Sequence, residues 1–581
     1  MAGDLSASFV RSMCIGDLEE EILFPFPKIK ESEKDIIRSI HSTVGSWLKS
    51  KAGEFRKWDK AGELPSDILE EMRQLGLFGL IIPEQYGGLG LSTTAYQRVI
   101  GELAQYDGSL LLTLAAHSSI GMKGLLLYGT PEQKERYLPK LATGELIAAY
   151  CLTEAGAGSD AASIKTKAVR DGDDWILNGE KIWITNGGIG NFFTVFAVTD
   201  TAEGKISAFF VTRDMKGVSS GPHEDKMGLR ASSTTTVHFD NVRVPHVNLV
   251  GEVGKGFKVA VRILNHGRSG GLGGGCVGGM KHLTELAIKQ SKIRKQFGKS
   301  ISEFGLIKKK IGQMVVDCYA SEAVVTMVSG LIDSGYEDYA VEAAISKVFA
   351  SEALWRTCDE ALQIAGGNGF MRDYPYEQIM RDARVNRIFE GTNEVLTLFI
   401  ALTAMKDAVD QLKELNQVVG NISSVFKDPI KGFGMLKDYA KMHVATRTKY
   451  GRATFTKVHP VLHSTAALFE EEMQSLVRAV DTILRKHGRG IIGKQFAISR
   501  LAHIMIDTFA LACVLSRVSQ SLQEKGSKGA AEEVKILETF AFQAKRRMRE
   551  NYKQIDINVD EEIKDLADFV TQEEKFTWDI L

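Results

Sequence analysis

Across its 581 residues the chain has no run of 18 or more consecutive apolar residues, so no membrane-spanning helix is expected. Cysteine is scarce. Cys14, Cys151, Cys276, Cys318, Cys358 and Cys513 lie far apart with no C-x-x-C pair, which argues against a disulfide framework or a zinc site and fits a reducing compartment. No metal site is expected. Charge of one sign is not in excess either, with 72 Lys and Arg against 73 Asp and Glu, so nothing global points to nucleic acid or to an acidic substrate. The first residues, "MAGDLSASFVRSMCIGDLEEE", have one arginine and no long apolar core, unlike a secretory signal or a transit peptide, although a trimmed precursor would look the same. The expected location is a bacterial cytoplasm, including the inner-membrane surface, with the mitochondrial matrix or inner membrane as the alternative.

What is present is a change of texture along the chain. After an N-terminal extension (1–31), residues 32–150 carry helical apolar spacing, as in "DILEEMRQLGLFGL", with Pro65 and Pro131 near helix starts. Residues 151–250 turn to short β-branched and aromatic runs such as "FFTVFAV" and "ISAFFVT". Asn178-Gly179 between two such runs reads as a hairpin turn, so an antiparallel β domain is expected. Helical spacing returns over 251–405 and again over 461–581, joined by a linker at 406–460. The fold class is mainly α with one β domain. Residues 421–460 carry eight Lys or Arg against two Asp, a net charge of +6, interleaved with Phe426, Ile430, Phe433, Leu436 and Tyr439. An exposed linker and a segment lying on an anionic membrane surface through 426–457 both fit.

Several short stretches can carry chemistry. In "TEAGAGSD" Gly156 and Gly158 allow a ligand close to the backbone and leave N–H donors unhindered, with Thr153 and Ser159 adding hydroxyls, although an ordinary turn would look similar. Trp183 in "WITNGG" is either core or a face for a planar ligand. Gly366 and Gly367 end a helical run, as a C-cap would. Glu390, in "RIFEGTNEV", sits between a bulky apolar residue and a glycine. It reads as an acid near a helix start, or as a base whose proton affinity an apolar cavity has raised. Gly270 to Gly279 is unusually glycine-rich for a helix, which close helix packing or room for a ligand would offset. The small side chains of Ala115, Ala116, Ser118, Ser119 and Gly121 suit a deep channel or a tight helix contact equally. "GRGIIGKQ" lacks the Ser or Thr and the preceding strand of a phosphate loop, and His459 and His463 have metal-ligand spacing without a third ligand.

In this order "YCLTEAGAGSD" (150–160), "WITNGG" (183–188), "RKQFG" (294–298), "QIAGGNGF" (363–370) and "RIFEGTNE" (387–394) closely resemble the acyl-CoA dehydrogenase family over almost the whole chain. The extension, including "VHPVLHS" and "QFAISRLAHIMID", resembles that of its very-long-chain branch. The resemblance implies the family fold, with an N-terminal helical domain, a β domain and a C-terminal four-helix bundle, plus an extra C-terminal helical domain. It implies FAD held by Tyr150, Leu152, Thr153, Gly158, Ser159, Trp183, Ile184, Thr185, Thr392 and Glu394. It also implies that Arg294, Phe297, Gln363, Gly366 and Gly367 hold the adenosine end of a flavin belonging to the other subunit of a homodimer. Ser159, Arg268 and Gly391 would meet the acyl-CoA, Arg268 at its CoA moiety. Ser269 stands where long-chain relatives often have an aromatic, and Ala155 where the family usually has proline.

The implied reaction is α,β-dehydrogenation of a long or very-long-chain acyl-CoA to a trans-2-enoyl-CoA, with Glu390 as base and electrons passing to an electron-transferring flavoprotein. Some family members carry the base on another helix, matching residues 256–281, but that stretch holds no Asp or Glu. An acyl-CoA oxidase using dioxygen, or a scaffold for assembling a respiratory complex, are the alternatives.

Overall fold

The computed structural model describes residues 5–410 and 453–580. The basic segment 426–457 therefore lies outside the described residues apart from its last five. The chain divides into two compact units, one of residues 25–396 with the first six, the other of residues 7–24 with 397–581.

In the first unit the helix starts have local causes. Ser92 caps α1 (Thr93–Leu103) by accepting from Ala95 N–H, and Asp107 caps α2 (Gly108–Ala115) by accepting from Ser109 and Leu110. Pro131 occupies the first turn of a helix opened by a Thr130/Gln133 capping box, and Pro65 immediately precedes Ser66–Gln74. The apolar faces of these helices close a core around Leu48, Met72, Phe78, Tyr96, Val99 and Leu110.

The β domain is one eight-stranded sheet, and it is mixed rather than antiparallel throughout. Strands β1 (Ala148–Cys151) and β2 (Lys167–Asp171) both run parallel to β4 (Phe192–Asp200). The remaining neighbours, among them β3 (Asp174–Thr185), β5 (Lys205–Thr212) and β7 (Thr234–Pro245), pair antiparallel. The expected hairpin at Asn178-Gly179 is not there: β3 runs straight through it, and the β2–β3 turn falls where Asp171 faces Asp174. Gly179 instead marks a register shift against β7, at φ 150°, where a Cβ would lie 2.5 Å from Thr166 Oγ1. The glycine serves a close approach of backbone, not a turn. Strands β4 and β5 are buried on both faces, Phe193 and Phe209 on one side and Phe192, Phe196 and Phe210 on the other.

Beyond the sheet come α3 (Gly256–Gly267), a π-helical turn at Arg268–Gly273, α4 (Gly274–Ile293), α5 (Gly305–Asp333) and α6 (Ala340–Ala365). Helices α4, α5 and α6 share a core with Tyr376–Arg384 around Met280, Leu283, Met314, Leu354 and Tyr376. The glycine-rich stretch is used for close packing. A Cβ on Gly278 would lie 2.1 Å from the Gly101 carbonyl oxygen of α1, and one on Gly274 2.8 Å from that of Gln97. Among the small residues of the suspected channel, Gly121 is pressed against Ala148 of β1 and Ser119 against Gly271.

In the second unit α8 (His463–His487), α9 (Gln495–Gly529) and α10 (Ala531–Asp556) pack together, and α11 (Asp560–Glu573) follows with no buried residue. The segment expected to be a separate N-terminal extension is partly built into this unit. Phe9 is fully buried with ring centroids 6.3 Å from Phe469 and 5.9 Å from Phe509, and Ser516 donates to the Leu23 carbonyl. Among the described residues three helical stretches, Gly108–Tyr128, Gly305–Asp333 and Gln495–Gly529, are long and apolar enough to cross a membrane, although none is an uninterrupted apolar run. Their apolar windows are 61%, 67% and 83% buried inside the protein, so packing already covers most of that surface.

Candidate active site

Glu390 lies on a short loop between the turn Val385–Arg387 and α7 (Asn393–Ala404). Its backbone is left-handed at φ 56°, followed by Gly391 at φ 93°. A bulky residue pays for such a conformation, and only surrounding contacts can maintain it. Those contacts come from two buried cations. Arg268, 6% exposed, donates from Nε and Nη2 to the Glu390 carbonyl at 3.2 and 2.9 Å, and from Nη1 to Asn265 Oδ1 at 2.7 Å. Lys347 of α6, fully buried, donates to the Gly391 carbonyl at 2.8 Å.

The side chain of Glu390 points inward, and its Oε2 is buried without a hydrogen-bond partner. Burial raises its pKa to about 7, against the pull of Arg268 and Lys347. A Cβ on Gly267 would stand 3.5 Å from Oε2 and 2.9 Å from Ile120, so only a glycine fits where α3 packs against the carboxyl group. The two π-helical turns, Ala116–Gly121 and Arg268–Gly273, meet beside this point through Ser119 and Gly271. Tyr150 and Tyr96 also feel the Glu390 charge; burial lifts the Tyr150 phenol well above its ordinary range and Tyr96 to about 12. The Tyr150 hydroxyl donates to the Ala260 carbonyl and the Tyr96 hydroxyl meets Ser119 Oγ.

The residues assigned to a flavin fall into two groups. In the first, the loop after β1 is anchored from behind by Glu154, which accepts from Lys165 N–H, from Thr166 N–H and hydroxyl, and from the fully buried Lys181 at 2.7 Å. Lys181 also donates to the Leu152 carbonyl, and Ile182 N–H to that of Thr153. The front of the loop is open: Gly158 and Ser159 are exposed, and a Cβ at Gly156 or Gly158 would meet nothing within 4 Å. Trp183 stands 64% exposed at φ 55°, while Ile184 is buried and Thr185 half-buried. An open glycine cradle beside an exposed indole fits a planar, phosphate-bearing group. Thr392 accepts from Val395 N–H at the start of α7, and Glu394 is exposed in its first turn.

The second group, Arg294, Phe297, Gln363, Gly366 and Gly367, is entirely exposed, with Phe297 at 93% and φ 52°. Among the described residues no hydrogen bond links it to the Glu390 loop or to the loop after β1. Arg268 places its guanidinium on the Glu390 carbonyl and on Asn265. Ser269 is fully buried, its hydroxyl bonded to the Val325 carbonyl and Ser329, and faces the interior. Lys347, Glu154 and Lys181 were missed; a lysine inside the apolar run "AAISKVFA" was the one available signal for the first. A cavity of about 110 Å³ between α1, α4 and α5 is walled by Gln97, Gly101, Gly274, Gly278 and a Glu322 carboxylate shared by Arg98 and Lys281, with neither Glu390 nor Arg268 among its walls.

Helices before and after a mixed β domain, a carboxyl group with a buried unpartnered oxygen and an open glycine loop beside an exposed indole together suit an enzyme that holds a planar cofactor and moves a proton. Family models make the class specific: those described as Acyl-CoA dehydrogenase N-terminal, middle and C-terminal domain match residues 35–145, 149–242 and 254–405, and that described as ACAD9/ACADV C-terminal domain matches 460–576. The chain belongs to the acyl-CoA dehydrogenase family. It is an oxidoreductase that uses FAD to dehydrogenate acyl-CoA thioesters. It is 41% identical over 565 residues to the very long-chain specific acyl-CoA dehydrogenase, mitochondrial, of Rattus norvegicus, covering 95% of this chain and 85% of that one. An acyl-CoA dehydrogenase of Bacillus anthracis solved with FAD superimposes with a TM-score of 0.81 at 30% identity, covering 94% and 92%. Butyryl-CoA dehydrogenase of Megasphaera elsdenii matches 65% of this chain with all of its own length, at 34% identity and a TM-score of 0.63. The remainder of the chain is additional to that shorter relative.

Proposed function

We propose that Glu390 is the base that removes the α proton of a long or very-long-chain acyl-CoA, giving a trans-2-enoyl-CoA. One observation carries the reading: a buried carboxyl oxygen with no partner, on a strained loop, with a pKa of about 7. Desolvation makes the carboxylate a stronger base than it would be in water, while its pKa stays low enough for much of it to be ionised near neutrality. Arg268 and Lys347 keep that charge tolerable and hold the loop. Bound FAD would supply the acceptor for the hydride that leaves the β carbon. Trp183, Thr185 and the open loop Thr153–Ser159 would hold its ring and pyrophosphate, and Gly391 would let the thioester lie against the backbone. The test is anaerobic addition of palmitoyl-CoA to the FAD-loaded protein. Loss of the visible flavin bands is expected; flavin that stays oxidised with short, medium and long acyl-CoAs alike would refute the reading and favour a scaffold.

The oligomer we propose is a homodimer in which Arg294, Phe297, Gln363, Gly366 and Gly367 reach the flavin of the partner. Support comes from their exposure and from the apolar surface of Ile293, Leu306 and Phe370, which are 78%, 76% and 80% exposed. Phe297→Asp is expected to yield monomers with little FAD in light-scattering chromatography; an FAD-loaded dimer would count against this placement. Electrons would pass to an electron-transferring flavoprotein, which should reoxidise the bleached enzyme faster than air does. Rapid oxygen uptake with peroxide release would identify an oxidase instead.

The similarity to a mitochondrial relative supports a matrix or inner-membrane location, against the bacterial cytoplasm expected from the N-terminal sequence. The basic stretch 426–457 supports docking on anionic lipid. Co-sedimentation with anionic vesicles should fall sharply when Lys431, Lys437 and Lys441 are all changed to Glu, and unchanged binding would remove the proposal.

A further inference from the structure

The Glu390 loop bends through two successive residues with positive φ, and each of their carbonyls is held by a buried cation from a different element. Arg268, at the junction of α3 and the π-helical turn, holds the Glu390 carbonyl. Lys347, about two turns into α6, holds the next one along, that of Gly391 at 2.8 Å. Lysine is almost never fully buried unless its ammonium is occupied. Here Nζ is occupied by the loop itself: besides Gly391 it donates to Asn393 Oδ1 at 2.7 Å, the first residue of α7.

Asn393 is in turn tied back to α6. Its amide donates to Ser351 Oγ at 3.0 Å and to Glu352 Oε1 at 2.8 Å, and Glu352 also receives Arg387 Nε at 2.8 Å. Lys347 therefore closes a network that brackets the loop, from Arg387 before it to Asn393 after it. Burial lowers the Lys347 pKa to about 8 while the Glu390 charge raises it, so the ammonium form is kept by the carboxylate that it helps to place. The other groups that sense Glu390 are Arg268, Tyr96 of α1, Tyr150 of β1 and Cys276 of α4.

We propose that Lys347 is a positioning residue for the dehydrogenation: through the Gly391 carbonyl and Asn393 it fixes where the Glu390 carboxylate stands, and through its charge it sets the pH range over which Glu390 is ionised. This rests on the reading of Glu390 as the base. A lysine serving only to fill the core would leave that pH range untouched when replaced by an apolar residue of similar length.

The experiment is the rate of flavin bleaching by palmitoyl-CoA, measured anaerobically from pH 5.5 to 9.5 on FAD-loaded Lys347→Met, Lys347→Gln and Lys347→Arg. Removing a cation near a carboxylate raises that carboxylate's pKa. The rising limb of the profile should therefore move to higher pH by about one unit in the Met and Gln variants, with a plateau rate at least tenfold below wild type in Met. The apparent KM for palmitoyl-CoA should change less than the rate. Arg, which keeps the charge, should leave the limb near its wild-type position. If Met does not retain FAD, the Gln variant carries the test. A limb in the FAD-loaded neutral variants at the wild-type pH, or a plateau within twofold of wild type, would overturn the proposal. Glu390→Gln, run in parallel, keeps the two readings apart: bleaching there at the wild-type rate would refute Glu390 as base, whatever the lysine variants do.

Discussion

Glu390→Gln loads FAD and binds acyl-CoA but bleaches its flavin at least 10²-fold to 10⁴-fold more slowly than the wild type, the usual contribution of a positioned general base. The amide replaces the carboxylate with nearly the same volume, so Arg268 still grips the residue 390 carbonyl and the loop keeps its course. What is lost is the acceptor for the α proton. Rapid mixing followed by absorbance checks this, and acyl-CoA binding measured separately by equilibrium titration should change little. Among residues 256–281 there is no acid that could take over, and Gly267, the position facing Oε2, has no side chain to do so. A variant that bleached at an undiminished rate would mean that the proton leaves by another route.

The second large effect is expected at the loop after β1. Glu154→Leu removes the carboxylate that shares a buried ion pair with Lys181 and holds the backbone of Lys165 and Thr166. Lys181, fully buried, is then left with the Leu152 carbonyl and no counter-charge. Breaking a buried pair from one side costs about 3–5 kcal/mol, because the remaining charge stays out of water. The loop that this pair anchors is the one whose open glycines face the proposed flavin, so lost stability and lost cofactor should appear together. Glu154→Leu is expected to purify largely without yellow colour and to unfold at a markedly lower temperature. The double variant Glu154→Leu with Lys181→Met, which removes both charges, should recover much of the stability. A yellow single variant with an unchanged melting temperature would contradict this role.

Much of this could be read in the sequence where the cause is local. The caps at Ser92, Asp107 and Thr130, and the switch from helical to β-branched texture near residue 150, depend on neighbours a few residues away. The glycines of "TEAGAGSD" and the carboxylate of "RIFEGTNEV" stood out because their neighbours are unusual. Asn178-Gly179 misled because a glycine with positive φ serves a strand as well as a turn, and only the approach of Thr166 decides which. The parallel strands could not be seen, since register with β4 is a tertiary property. The same holds for Arg268, 122 residues from the carbonyl it grips, and for Lys347, 44 residues from its own. The burial of residues 7–24 among helices more than 400 positions away is a further case.

The central claim is that burial turns Glu390 into a base matched to neutral pH. Its most direct test is the pH dependence of anaerobic flavin bleaching by palmitoyl-CoA in the wild-type protein. Below its pKa the carboxyl group already holds a proton and cannot accept another, so the rate should rise with pH and level off, with a midpoint near the pKa of about 7. A rate already at its plateau at pH 5.5, as an ordinary exposed carboxylate would give, or a profile that survives in Glu390→Gln, would contradict it.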